Sequence, residues 1–135
     1  MNAVVIDCSV AAAWFFADED DAYAREVAEF LVTGAGIVPP LWKLELANVL
    51  LQGERRRRIS RERIQSGLAE VEALDIREAG DDLRPSDMIL LARMWNLSPY
   101  DMAYVQLARR TGLRLATLDR EMRTAATAGG VRLFE

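Results

Sequence analysis

The sequence predicts an α/β fold, a central parallel sheet of four or five short strands surrounded by helices, in a single domain over residues 1–135. Three observations carry that expectation. Ala3-Val4-Val5-Ile6 is a β-branched run without polar alternation, as a strand buried on both faces requires. Strand-like segments alternate with helical ones along the chain, the pattern of parallel strands joined by crossover helices. The length, 135 residues, suits one unit built around one core.

Taken in order, the first strand ends at Asp7, Ser9 offers a helix cap, and residues 10–16 read as a short helix. Residues 21–33 make a second helix, with Ala24, Val27, Ala28, Phe30 and Leu31 forming an apolar stripe at helical spacing; Gly34-Ala35-Gly36 ends it. Ile37-Val38 reads as a very short strand closed by Pro39-Pro40, and residues 41–52 as a helix. Residues 60–73 repeat the helical pattern from a Ser60 cap. Leu74-Asp75-Ile76 reads as a strand and 85–96 as a helix. Ser98-Pro99 opens the next helix, to about Arg110, because proline is favoured at the first helical position after a serine cap. Residues 114–118 read as a strand ending at Asp119, followed by a helix to about Ala126 and a last small strand over 131–134. Trp14-Phe15-Phe16 cannot all face one way in a helix, so at least one approaches the surface. Cys8 reads as a small buried filler.

Composition narrows the chemistry. With 51% hydrophobic and 28% charged residues the chain has ordinary globular make-up. It contains no histidine and one cysteine, which removes Ser-His-Asp and Cys-His catalysis, histidine metal sites and cysteine-rich zinc sites, and predicts a protein of a reducing cytoplasm. Carboxylates, hydroxyls and arginines remain. The start lacks the basic region of a signal peptide, and no stretch approaches the ~18 apolar residues of a membrane span. Net charge is −4, against a protein that coats nucleic acid by bulk electrostatics; yet residues 54–63 hold six arginines and two glutamates, a basic strip on an acidic body.

Four carboxylates stand out. Asp7 and Asp119 each follow an apolar strand, at the carboxyl end where open α/β sheets bind ligands; a helix N-cap is the competing explanation for each. Glu45 shares a largely apolar helical face with Leu41, Trp42, Asn48 and Val49, so its charge must be paired, protonated, bound to a cation or held at a wet rim. Asp101 lies three residues after Ser98, as in a capping box, yet begins a face carrying Tyr104, Val105 and Ala108. Brought together, these acids would repel unless a cation neutralised them. Magnesium or manganese suits such hard oxygen ligands, and in-line phosphoryl chemistry is the leading reaction.

The motifs Val-Ile-Asp7-Cys-Ser9-Val, Glu45-Leu-Ala-Asn48-Val, Ser98-Pro-Tyr-Asp101-Met-Ala-Tyr and Leu-Ala-Thr117-Leu-Asp119, in this order over nearly the whole chain, resemble the PIN-domain ribonucleases and within them the VapC toxins of prokaryotic toxin–antitoxin pairs. The resemblance implies a single PIN-like nuclease domain, a metal-dependent endoribonuclease that hydrolyses RNA phosphodiester bonds with Mg²⁺ (or Mn²⁺). Asp7, Glu45, Asp101 and Asp119 would be its metal-binding, catalytic quartet. Ser9, Asn48 and Thr117 would support them. The resemblance also implies a homodimer and a cognate antitoxin protein that blocks the site.

Arg55, Arg56, Arg57 and Arg58 read either as a solvated helix end or as an edge contacting RNA or antitoxin. Two other readings compete. A phosphoaspartate phosphatase or receiver domain would also place aspartates at strand ends, but it wants a lysine at the phosphoryl group, and the one lysine, Lys43, shares the helix of Glu45. A non-catalytic protein-binding module would use the acids only as caps.

Overall fold

Val4, Val5 and Ile6 are sealed from solvent because their strand is paired on both edges and covered on both faces. Each such side chain contributes about 1.5–3 kcal/mol of burial, so this short run anchors the sheet. The structure is a computed structural model and describes residues 2–135. Strand β1 (Ala3–Ile6) leads into α1 (Cys8–Ala13), a 3₁₀ turn (Ala17–Glu19) and α2 (Ala22–Phe30), then β2 (Ala35–Val38), α3 (Leu41–Arg55), α4 (Arg61–Glu72) and β3 (Ile76–Glu78). The chain continues through α5 (Pro85–Trp95), α6 (Pro99–Thr111), β4 (Arg114–Ala116) and α7 (Arg120–Ala128).

The four strands are all parallel, in the order β3-β2-β1-β4. The chain first steps outward from β1 to β2 and β3, and the fourth strand returns to the opposite side of β1. The strand order therefore reverses beside β1, and in open α/β sheets the crevice beyond the carboxyl ends at such a point is where ligands bind. Seven helices surround the sheet among the described residues, with α6 packed on β1 and β4 and α1 packed on α2 and α3. No helix among the described residues is long and apolar enough to cross a membrane.

Several expected boundaries shift. The first helix begins at Cys8 and ends at Ala13, so Ser9 lies inside it and is not its cap; Asp7 occupies the N-cap position. The early ending has a packing cause. Phe15 and Phe16 leave the helix to lie against glycines of two other helices, where an added Cβ would sit 2.5 Å from the Phe15 ring at Gly67 and 2.8 Å from the Phe16 ring at Gly53. Trp14 is half-buried, and its carbonyl, exposed by the end of α1, accepts from Arg63 at 2.7 Å. The third strand falls at Ile76–Glu78, two residues later than the sequence pattern suggests, and β4 stops at Ala116. The expected strand over 131–134 reduces to a single parallel bridge, Leu115 to Leu133, because the segment meets a β4 only three residues long. The sheet thus has four strands, the lower of the two expected numbers.

Candidate active site

The ladder between β1 and β4 builds the site. Ile6 is in register with Ala116, and the Asp7 N–H donates to the Ala116 carbonyl at 2.9 Å, which extends the pairing one step and sets Asp7 beside Thr117. The Asp7 side chain makes no helix-capping bond although its backbone sits at the N-cap of α1. Its Oδ2 instead accepts from the Ser9 hydroxyl at 2.7 Å and the Thr117 hydroxyl at 2.7 Å. Those hydroxyls are themselves fixed, since Ser9 Oγ accepts from Leu118 N at 3.0 Å and Thr117 Oγ1 from Asp119 N at 3.0 Å. Asp7 is thus clamped by two neutral donors and is 6% exposed.

The other three acids come from three further elements. Asp119 is the N-cap of α7 and accepts from Met122 N at 2.9 Å, so here the capping explanation holds. Asp101 stands in the first turn of α6, where the Ser98 hydroxyl accepts from its N–H at 3.1 Å. Glu45 lies in the second turn of α3, half-buried, and its carboxylate accepts from the buried Tyr104 hydroxyl. Among the described residues no ion pair holds Glu45, and the neighbouring Lys43 reaches Glu78 at 3.1 Å. Lys43 is turned to β3 and not to either strand-end aspartate.

Electrostatics show that the four acids share one field. Asp101 feels the charges of Asp119, Asp7 and Glu45, and burial together with these three pushes its carboxyl up to about 6. Asp7 is raised by burial, with the Ser9 and Thr117 hydroxyls opposing and the Asp119 charge adding. Glu45 is raised by burial and by Asp7, with the Tyr104 hydroxyl opposing. Burial and the nearby Glu45 and Asp7 charges push the Cys8 thiol up to about 12, so this cysteine is an inert filler.

Among the described residues no three His, Cys, Asp or Glu side chains close into a metal cage. The donor set nevertheless fits Mg²⁺ or Mn²⁺. It is all carboxylate oxygen, it carries concentrated negative charge, and Mg²⁺ keeps several waters and binds through one or two carboxylates plus substrate phosphates rather than through an all-protein cage.

Of the supporting residues, Ser9 and Thr117 hold Asp7, whereas Asn48 is exposed one turn beyond Glu45 and makes no hydrogen bond to the acids. Arg55, Arg56 and Arg57 are exposed at the far end of α3, about 15 Å along the helix from Glu45. Arg58 is committed elsewhere: it pairs with Asp18 at 3.2 Å and Glu19 at 3.3 Å and lies over the Phe16 ring. Sequence reasoning misses Tyr104 as the partner of Glu45; its place one turn after Asp101 on α6 is the available signal.

The PIN domain family profile matches residues 4–128, and the chain belongs to this family. PIN domains are generally metal-dependent nucleases that act on nucleic acid and usually use divalent metals such as Mg²⁺. Three solved structures share the fold at low identity. A Pyrobaculum aerophilum protein is 20% identical, with 90% of this chain and 83% of that one covered and a TM-score of 0.69. A domain of a functionally unknown protein from Methanocaldococcus jannaschii is 19% identical, covering 99% and 90% with a TM-score of 0.58. A PilT N-terminus domain protein from Sulfolobus solfataricus is 15% identical, covering 98% and 85% with a TM-score of 0.52. Comparison with curated protein sequences finds no match.

Proposed function

We propose that this chain is a Mg²⁺- or Mn²⁺-dependent endoribonuclease, the VapC-type toxin of a cytoplasmic toxin–antitoxin pair, with Asp7, Glu45, Asp101 and Asp119 as its metal-binding, catalytic acids. The observation that carries the reading is the buried Asp7 carboxylate at the end of β1, held by two neutral hydroxyls beside Asp119, with the Asp101 carboxyl raised by burial and by Asp119, Asp7 and Glu45. The four acids come from four separate elements, and Asp7 and Asp119 flank the reversal in strand order, which supports the reading.

A divalent cation bound there supplies Lewis-acid activation of an attacking water and charge neutralisation at the leaving oxygen. The chain's own residues do the rest. Ser9 and Thr117 fix the Asp7 carboxylate without neutralising it, because a hydroxyl donates a hydrogen bond but brings no positive charge. Asp119 is tied to the same network through its N–H, so α7 and β4 hold it in register with Asp7. Asp101 completes the acidic wall from α6. Arg55, Arg56 and Arg57 offer guanidinium forks to RNA phosphates or to acidic residues of an antitoxin, and Arg58 remains a structural clip. Exposed Leu44 and Leu51 on α3 and Leu90 and Met94 on α5 supply apolar surface for a second copy of the chain.

A gel assay on structured and unstructured RNA tests the reading. Cleavage is expected with Mg²⁺ or Mn²⁺, to be lost in EDTA, and to return when metal is restored. Metal-independent cleavage, or none on either RNA with either metal, contradicts it.

A further inference from the structure

We propose that Tyr104 is a positioning residue of the acidic crevice, its hydroxyl holding the Glu45 carboxylate in place to receive a divalent cation. The role rests on the nuclease reading above and adds to it a residue that belongs to none of the four acids.

The Tyr104 ring is fully buried, and a phenolic O–H inside a protein needs an acceptor. It finds one across 59 residues of sequence, on a different helix. Glu45 has the longest side chain of the four acids and the most rotational freedom to lose. Among the described residues Tyr104 is its one hydrogen-bond partner, and the nearby lysine is turned to Glu78. Without the phenol, no other side chain among the described residues fixes where the Glu45 oxygens point.

The chemistry of the partner matters as much as its position. An arginine or lysine would hold Glu45 equally well but cancel its charge. A phenol holds it and leaves the full negative charge for a cation. Asp7 is held in the same manner, by Ser9 and Thr117, so hydroxyl donors restrain both carboxylates. Helix α6 then performs two tasks from one face: Asp101 contributes charge, and Tyr104, one turn later, aligns an acid delivered by α3. A purely structural tyrosine would use Glu45 only to satisfy its own hydroxyl, and its loss would leave metal binding unchanged.

Mn²⁺ binding measured by calorimetry on the full chain separates these cases. Tyr104→Phe removes one oxygen and keeps the ring, so circular dichroism should stay that of the parent while Mn²⁺ affinity falls about tenfold or more, the usual cost of losing a ligand's supporting hydrogen bond. In a Glu45→Gln background the same change should have no further effect, because the carboxylate it aligns is gone. Parent-like affinity in Tyr104→Phe, or an equal loss in both backgrounds, overturns the assignment. Should Tyr104→Phe fold poorly, Glu45→Asp keeps the charge but withdraws it from the phenol; a comparable loss is expected, and parent-like affinity overturns the proposal. Absence of saturable Mn²⁺ binding by the unsubstituted protein overturns both this assignment and the nuclease reading, whereas normal parent binding with an unaffected Tyr104→Phe overturns the assignment alone.

Discussion

Asp7→Asn is expected to abolish RNA cleavage, by at least about 100-fold, while leaving the fold in place. The amide keeps one acceptor oxygen for the Ser9 and Thr117 hydroxyls, and it is close in volume to the carboxylate, so the packing at the end of β1 is preserved. What disappears is the charge at the most buried of the four acids. Because burial opposes that charge in the native state, its removal should leave thermal stability unchanged or slightly raised. Parallel gel assays and thermal melts check both halves. A variant that cuts RNA at the parent rate would remove Asp7 from the catalytic group, and one that fails to fold would make it a structural residue.

Asp101→Asn is expected to stabilise the metal-free protein at neutral pH, an unusual direction for a change at an active site. The Asp101 carboxyl is raised to about 6 from an ordinary value of 3.8, by burial and by Asp119, Asp7 and Glu45. Between those two values the folded chain binds more protons than the unfolded chain, so stability falls as pH rises through the window. Asp7 and Glu45 are raised as well and act in the same direction. In EDTA, the parent should therefore melt higher at pH 5 than at pH 7. Asp101→Asn should lose much of that slope and gain a few degrees at pH 7, the size being limited by solvent screening of a half-exposed group. Saturating Mn²⁺ should restore the parent at pH 7 and do less for the variant. A parent whose melting temperature rises from pH 5 to pH 7 without metal would show that the acids do not repel as described.

Much of this architecture is legible in the order of residues alone. The β-branched run Ala3–Ile6 reads only as a buried strand, and Ser60 and Ser98 mark the starts of α4 and α6, where their hydroxyls accept from Arg63 and Asp101. The four acids can be named because each sits at a strand end or on a helical face where a charge needs a reason. Pairings across distance are a different matter. Nothing local in residues 41–55 says that Glu45 meets Tyr104, and nothing in the arginine run says that Arg58 turns away to Asp18 and Glu19. Ser9 reads as a cap because serine before an apolar run usually is one; tertiary context makes it a clamp on Asp7 instead. The length of α1 escapes local reasoning for a similar cause, since the fit of Phe15 and Phe16 against Gly67 and Gly53 is a property of three packed helices.

The most direct measurement is anomalous diffraction from crystals of the full chain soaked in Mn²⁺. Manganese density is expected in the crevice bordered by Asp7, Glu45, Asp101 and Asp119, and it should vanish in Asp7→Asn. Well-diffracting crystals with no manganese there at millimolar Mn²⁺, or with manganese only at other surfaces, would contradict the claim that these acids form a single cation-binding centre.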